Sequence, residues 1–222
     1  METAITEKIT PDQTAQLTRF VDDMIRKLGL SKDAAQLLIK NFHLVKPELE
    51  QVLQKHSIAD KRFELLKTFE ITVPANYNHG KRLDSFAKEN KKKFYYYNDD
   101  ITDKNFSKAT TKLEPNKVLT VKVFGIKASV TSQNCMDFLK TQDAILTGAQ
   151  GASLVWEQKK DELPVDKWSV SFDEKDALWE DSDGYHRVPF VIRYSGVVFG
   201  FDLGRFEYDW DSGHCLLCFC DK

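Results

Sequence analysis

Turn dipeptides punctuate the end of this chain: Asp183-Gly184, Ser195-Gly196 and Ser212-Gly213 each stand between runs that read as strands. A glycine at such a corner supplies the positive φ that a tight reversal needs, so the pattern predicts consecutive hairpins. The last stretch is therefore expected to fold as an antiparallel β-meander. Upstream, Val118 to Ile126 alternates apolar and polar residues and reads as another strand, and Trp168 to Phe172 as one more. Thr131 or Ser132 can cap a helix carrying Met136, Phe138 and Leu139, and Leu83, Phe86 and Ala87 suggest a short one. Asn98 to Asn116 is rich in Asp, Asn and Thr and reads as a long loop with a strand near Phe106.

The first third has a different period. Thr10-Pro11-Asp12-Gln13 is a helix-start signal, followed by Leu17, Phe20, Val21, Met24, Ile25 and Leu28 at three- and four-residue spacing. Gly29 stops that helix and Ser31 caps a second, with Ala34, Leu37, Leu38 and Phe42 turned inward. A third is expected from Pro47, with Leu49, Val52, Leu53 and His56 on one side, and a fourth over roughly 58–67. The fold class expected is α+β: an N-terminal helical bundle over residues 1–70, then an α+β domain over 71–222 with a C-terminal antiparallel sheet.

Charge narrows the function classes. Lysine plus arginine number 32 against 34 acidic residues, a net charge of −2. Such a balance steers no nucleic acid to the whole protein. The helical third itself carries 11 basic and 11 acidic side chains over residues 1–72, which argues against a DNA-recognition bundle. No apolar run approaches the ~20 residues of a membrane span, and no secretory leader is apparent, so a cytoplasmic location is expected.

Candidate sites come with an ordinary structural alternative. Cys215, Cys218 and Cys220 with His214 supply soft ligands, but in a strand Cys218 and Cys220 share one face and Cys215 takes the other. A buried strand with reduced thiols is favoured over zinc. Asp181, Asp183 and His186, with Glu207, Asp209 and His214 on a neighbouring hairpin, can meet only if those strands pair. They would then hold a divalent ion and activate water for hydrolysis. Lys91, Lys92 and Lys93 with Tyr95 mix phosphate-binding charge with rings that stack on unpaired bases. A helix end followed by a strand explains them as well. Trp179, Tyr208 and Trp210 are the rings chosen for a docking surface on the sheet. Phosphate-cradling glycine loops, nucleophile elbows and His-Glu-x-x-His are missing from the sequence. The preferred reading is a cytoplasmic binding protein with a protein partner. A metal-dependent hydrolase and a single-stranded nucleic-acid binder stand as alternatives.

Overall fold

In the computed structural model, the residues described are 15, 18–19, 22–23, 25–41, 43–44, 46–47, 60–195 and 198–221. The chain divides into two compact units, Met1–Ile58 and Ala59–Lys222. In the first, Ser31 Oγ accepts the Ala34 N–H at 3.2 Å and starts helix α1, Lys32–Lys40. Leu37, expected to turn inward, is 59% exposed; Ile39 on the same helix and Leu28 and Leu44 on either side of it are exposed too. Helical spacing makes a helix, but a bundle also needs apolar faces buried against each other. No such core exists among the described residues, so the expected N-terminal bundle, and with it the α+β class, is replaced by a large mixed sheet with few short helices. The helices expected from Thr10 and from Pro47 lie largely outside the described residues.

The second unit is built on that sheet. Its strands are β1 (Phe63–Thr72), β2 (Tyr96–Tyr97), β3 (Val118–Ile126), β5 (Trp168–Val170), β6 (Trp179–Glu180), β7 (His186–Arg193), β8 (Phe199–Arg205) and β10 (His214–Asp221). They run in the order β1-β3-β10-β5-β7-β8-β2, with β6 also beside β7. A separate two-stranded ribbon joins β4 (Val130–Thr131) to β9 (Asp209–Trp210). Most pairs are antiparallel, while β10 with β5 and β2 with β8 are parallel.

Two sequence expectations change here. The helix expected over 58–67 gives way to β1, which pairs with β3 along its length. A bulge between Leu65 and Lys67 shifts the alternation, leaving Phe63 in one core and Ile71 in the other. That extra residue breaks the two-residue period and imitates a helical one. The meander holds only for β6-β7-β8. Gly184, at φ +82, turns β6 into β7. After β8 the chain pairs β9 with β4 and then inserts β10 between β3 and β5.

Alternation along the strands loads both faces. Leu119, Val121, Val123, Cys215, Leu217 and Phe219 face one core, and Phe124, Ile126, Leu216 and Cys218 face the other. Helices α2 (Arg82–Asn90) and α4 (Gly148–Lys159) pack into the first core, and α3 (Ser132–Thr141) into the second. As the sequence signals, Thr131 Oγ1 caps α3 by accepting the Asn134 N–H. The loop over 98–116 has no strand at Phe106, whose ring is buried. From this loop, Asp103 accepts the Leu83 and Asp84 N–H groups at 3.0 and 3.1 Å and so caps α2.

Beneath α4 lies Asp173, only 3% exposed, accepting the N–H groups of Thr110 and Glu174. Burial pushes its carboxyl above the ordinary aspartate value, against those hydrogen bonds. The folded state therefore binds its proton more tightly than the unfolded chain does. Its contribution is complete at low pH and is lost as pH rises from the ordinary value through the raised one. Asp173→Asn is expected to gain on the wild type across that window, read from urea midpoints of both proteins over a pH series. Parallel curves would contradict it.

Candidate functional site

The β6-β7 turn and the end of β8 gather the acids and histidines singled out from sequence. Asp181 accepts the N–H groups of Asp183 and Tyr185 through Oδ1, each at 2.9 Å, and Arg187 Nε through Oδ2 at 2.7 Å. The Tyr185 N–H is the largest influence, and with Arg187 it holds the Asp181 carboxyl below its ordinary range against burial. His186 Nδ1 stands 2.9 Å from Glu207 Oε1, and Lys175 Nζ is 3.3 Å from the same oxygen. Burial works to raise Glu207, but His186 and Lys175 bring it below the usual glutamate value.

The remaining candidates go elsewhere. Asp183 is exposed at the turn. Asp209 accepts from Ser129 Oγ at 3.3 Å on the β4-β9 ribbon. His214 pairs with Asp211 at 2.9 Å, its ring between Trp168 and Trp210. The structure thus brings His186 to Glu207 and leaves the others in separate pairs. Among the described residues no group of three or more His, Cys, Asp or Glu can hold a metal ion. His186 also borders a cleft of about 470 Å³ whose lining includes Lys104 and Lys108 as well as Asp176 and Glu180.

The cysteines follow strand parity. Cys218 and Cys220 share a face with sulfurs 3.7 Å apart, while Cys215 meets Ser169 Oγ at 3.3 Å on the other. Burial pushes the Cys215 thiol up to about 11 and the α3 thiol, Cys135, up to about 12, so both stay protonated and unreactive near neutrality.

The rings proposed as a surface part company. Trp210 is only 3% exposed and donates from Nε1 to Ser132 Oγ at 2.7 Å. It lies against Gly204, where a Cβ would come within 2.7 Å of the indole. Trp179 is partly buried against the larger core. Tyr208 is exposed, with the Arg205 guanidinium over its ring and over that of Tyr185. Lys91, Lys92 and Lys93 form a short 3-10 turn after α2, with Lys91 paired to Asp99 and Lys93 bonded to Asn90 Oδ1 at 2.7 Å.

A different aromatic surface emerges at the β2 side of the sheet. Register aligns Tyr96 with Gly200, Gly200 with Ile192, Ile192 with Trp168 and Trp168 with His214, across five strands. These residues share the face that carries Phe190 and Leu216. Gly200 makes room in the row: a Cβ there would stand 2.9 Å from Ile192 and 3.6 Å from the Tyr194 ring. Tyr194 lies across this gap, with Tyr95 edge-on to it at 6.4 Å. Tyr95 is 82% exposed, Tyr96 49%, Trp168 40% and Tyr194 38%. Two residues along β8 from Gly200, Asp202 accepts Asn98 Nδ2 at 2.8 Å.

Sequence reading places Tyr95 and Tyr96 in the Lys91-Tyr97 run as a base-stacking candidate and counts Trp168 and Tyr194 among the rings of the later chain, without bringing them together. Tyr96, Trp168 and Gly200 share even numbering, but only the non-local register places them side by side. Compared with protein-family models, curated proteins and solved structures, the chain finds no match.

Proposed function

We propose that this protein is a cytoplasmic interaction module that docks a protein partner on the tyrosine-lined part of its sheet. The observation that carries this reading is the set of exposed rings Tyr95, Tyr96, Tyr194 and Trp168, on or next to strands β2, β7 and β5 of one sheet, with Gly200 leaving room beside Tyr194. Tyrosine and tryptophan dominate the energetic centres of interfaces, because they bury much area and lose few rotamers on binding. A hydrolytic centre has less support, since the acids and histidines that it needs are spread over separate pairs. Nucleic acid has less support too, because the charges that act on Tyr96, Asp202 first and then Asp99 and Asp100, are carboxylates, which repel phosphates. The cytoplasmic assignment draws on thiols that pack as apolar core groups, among them Cys135, Cys215 and Cys218. Among the described residues no helix is long and apolar enough to cross a membrane.

A photocrosslinking amino acid placed at Tyr95 is expected to trap a discrete partner from cell extract. Tyr96→Ala in the same protein should cut that adduct about tenfold, and Tyr208→Ala, at the other tyrosine site, should leave it unchanged. An adduct indifferent to Tyr96→Ala would overturn the reading.

A further inference from the structure

The chemistry of the partner follows from what this surface lacks. Elsewhere the fold places its own cations over its rings. Arg205 covers Tyr185 at 4.1 Å and Tyr208 at 5.0 Å, Lys160 lies over Trp156 at 5.0 Å, and Lys175 over Phe206 at 5.4 Å. Among the described residues no cation lies over Tyr95, Tyr96 or Tyr194, and none pairs with Asp202. The Asp202 carboxylate is on the same sheet face as the Tyr96 ring and diagonal to it across the parallel β2-β8 pair. Asn98 Nδ2 and the Leu203 N–H both bond its Oδ1, so Oδ2 has no described partner. Asp202 first, then burial, then Asp99 and Asp100 push the Tyr96 hydroxyl above its ordinary range; Asp99 is paired with Lys91, whereas Asp202 has no cation partner among the described residues. Electron-rich ring faces beside an unpaired carboxylate make a receptor for a cation, not for an anion.

Resting on the proposed docking role, we propose that this surface takes a basic peptide segment, with a guanidinium or ammonium group seated over Tyr96 and Tyr194 and facing Asp202. The ring supplies the quadrupole, and the carboxylate supplies charge-assisted hydrogen bonding. Asp202→Asn is the sharpest variant. An amide oxygen can keep the bonds from Asn98 and Leu203, while the negative charge is gone.

The test titrates the full chain by calorimetry, at fixed ionic strength, with a hexa-arginine peptide, a hexaglutamate peptide and a thymidine decamer. Only the arginine peptide is expected to bind. Its affinity should fall about tenfold in Asp202→Asn and in Tyr96→Ala and stay unchanged in Tyr208→Ala. Equal affinity for wild type and Asp202→Asn, or binding of the oligonucleotide in place of the peptide, overturns the cationic partner. The crosslink at position 95 separates the two levels. An adduct lost in Tyr96→Ala but intact in Asp202→Asn leaves a docking surface for a partner that is not basic. An adduct indifferent to both substitutions removes the docking surface as well.

Discussion

Phe201→Ala is expected to cost about 3–5 kcal/mol of folding stability, the range for emptying a buried aromatic site. Phe201 has no exposed surface and meets Phe86 at 5.9 Å, Phe94 at 6.1 Å and Tyr97 at 5.7 Å between ring centroids. Those rings come from α2, the turn after it, β2 and β8, so no single element can move in to fill the space. The whole ring-volume loss remains as a cavity. Urea unfolding should show a lower midpoint with an unchanged slope. A loss below about 1 kcal/mol would mean that the cluster collapses around the smaller side chain.

The second large effect is expected from overpacking. Helix α4 begins with a buried run, Gly148 to Ser153, in which every residue but Gln150 is small. A Cβ at Gly151 would stand 2.8 Å from Cζ of the Phe219 ring and 2.6 Å from Cβ of Thr147. Both neighbours are buried, and Phe219 sits on β10 in the middle of the sheet. Gly151→Val therefore forces the helix away from the strand, at about 3 kcal/mol, the upper end for extra atoms in a filled core. Gly151→Ala should fall between the wild type and the valine variant in thermal unfolding. A valine variant as stable as the wild type would show that α4 is free to lift.

What the residues revealed in advance was local. Val118 to Ile126 alternates and forms β3 over those same residues, and Thr131 announces the start of α3 through its own hydroxyl. Gly184 turns a hairpin because its φ of +82 is demanded there, whatever the rest of the sheet does. The failures involve partners far away in sequence. The bulge at Leu66 scrambles the period of β1, and only β3 tells the two alternatives apart. Ser212-Gly213 looks like a hairpin corner, yet the strands on its two sides pair with β4 and with β3 and β5. At the site the same limit applies. Tyr95 and Tyr96 stand out beside the lysines only as rings that could stack on bases, and their place next to Tyr194 depends on Gly200, whose missing side chain leaves room for that ring. Trp210 shows the reverse: a ring chosen for the surface is buried because Gly204, on another strand, leaves it a seat.

The position of β10 also bears on how the chain is made. It fills the gap between β3 and β5, and it follows both of them along the chain. A ribosome adding about 5–20 residues per second completes β3 on the order of 5–20 seconds before Asp221 is joined. Throughout that interval Val121 and Val123 belong to a half-built sheet with an open hydrogen-bonding edge, the kind of nascent surface that chaperones hold. Closure of the sheet between β3 and β5 therefore waits until β10 has been made, however early the pairs on either side of the gap form.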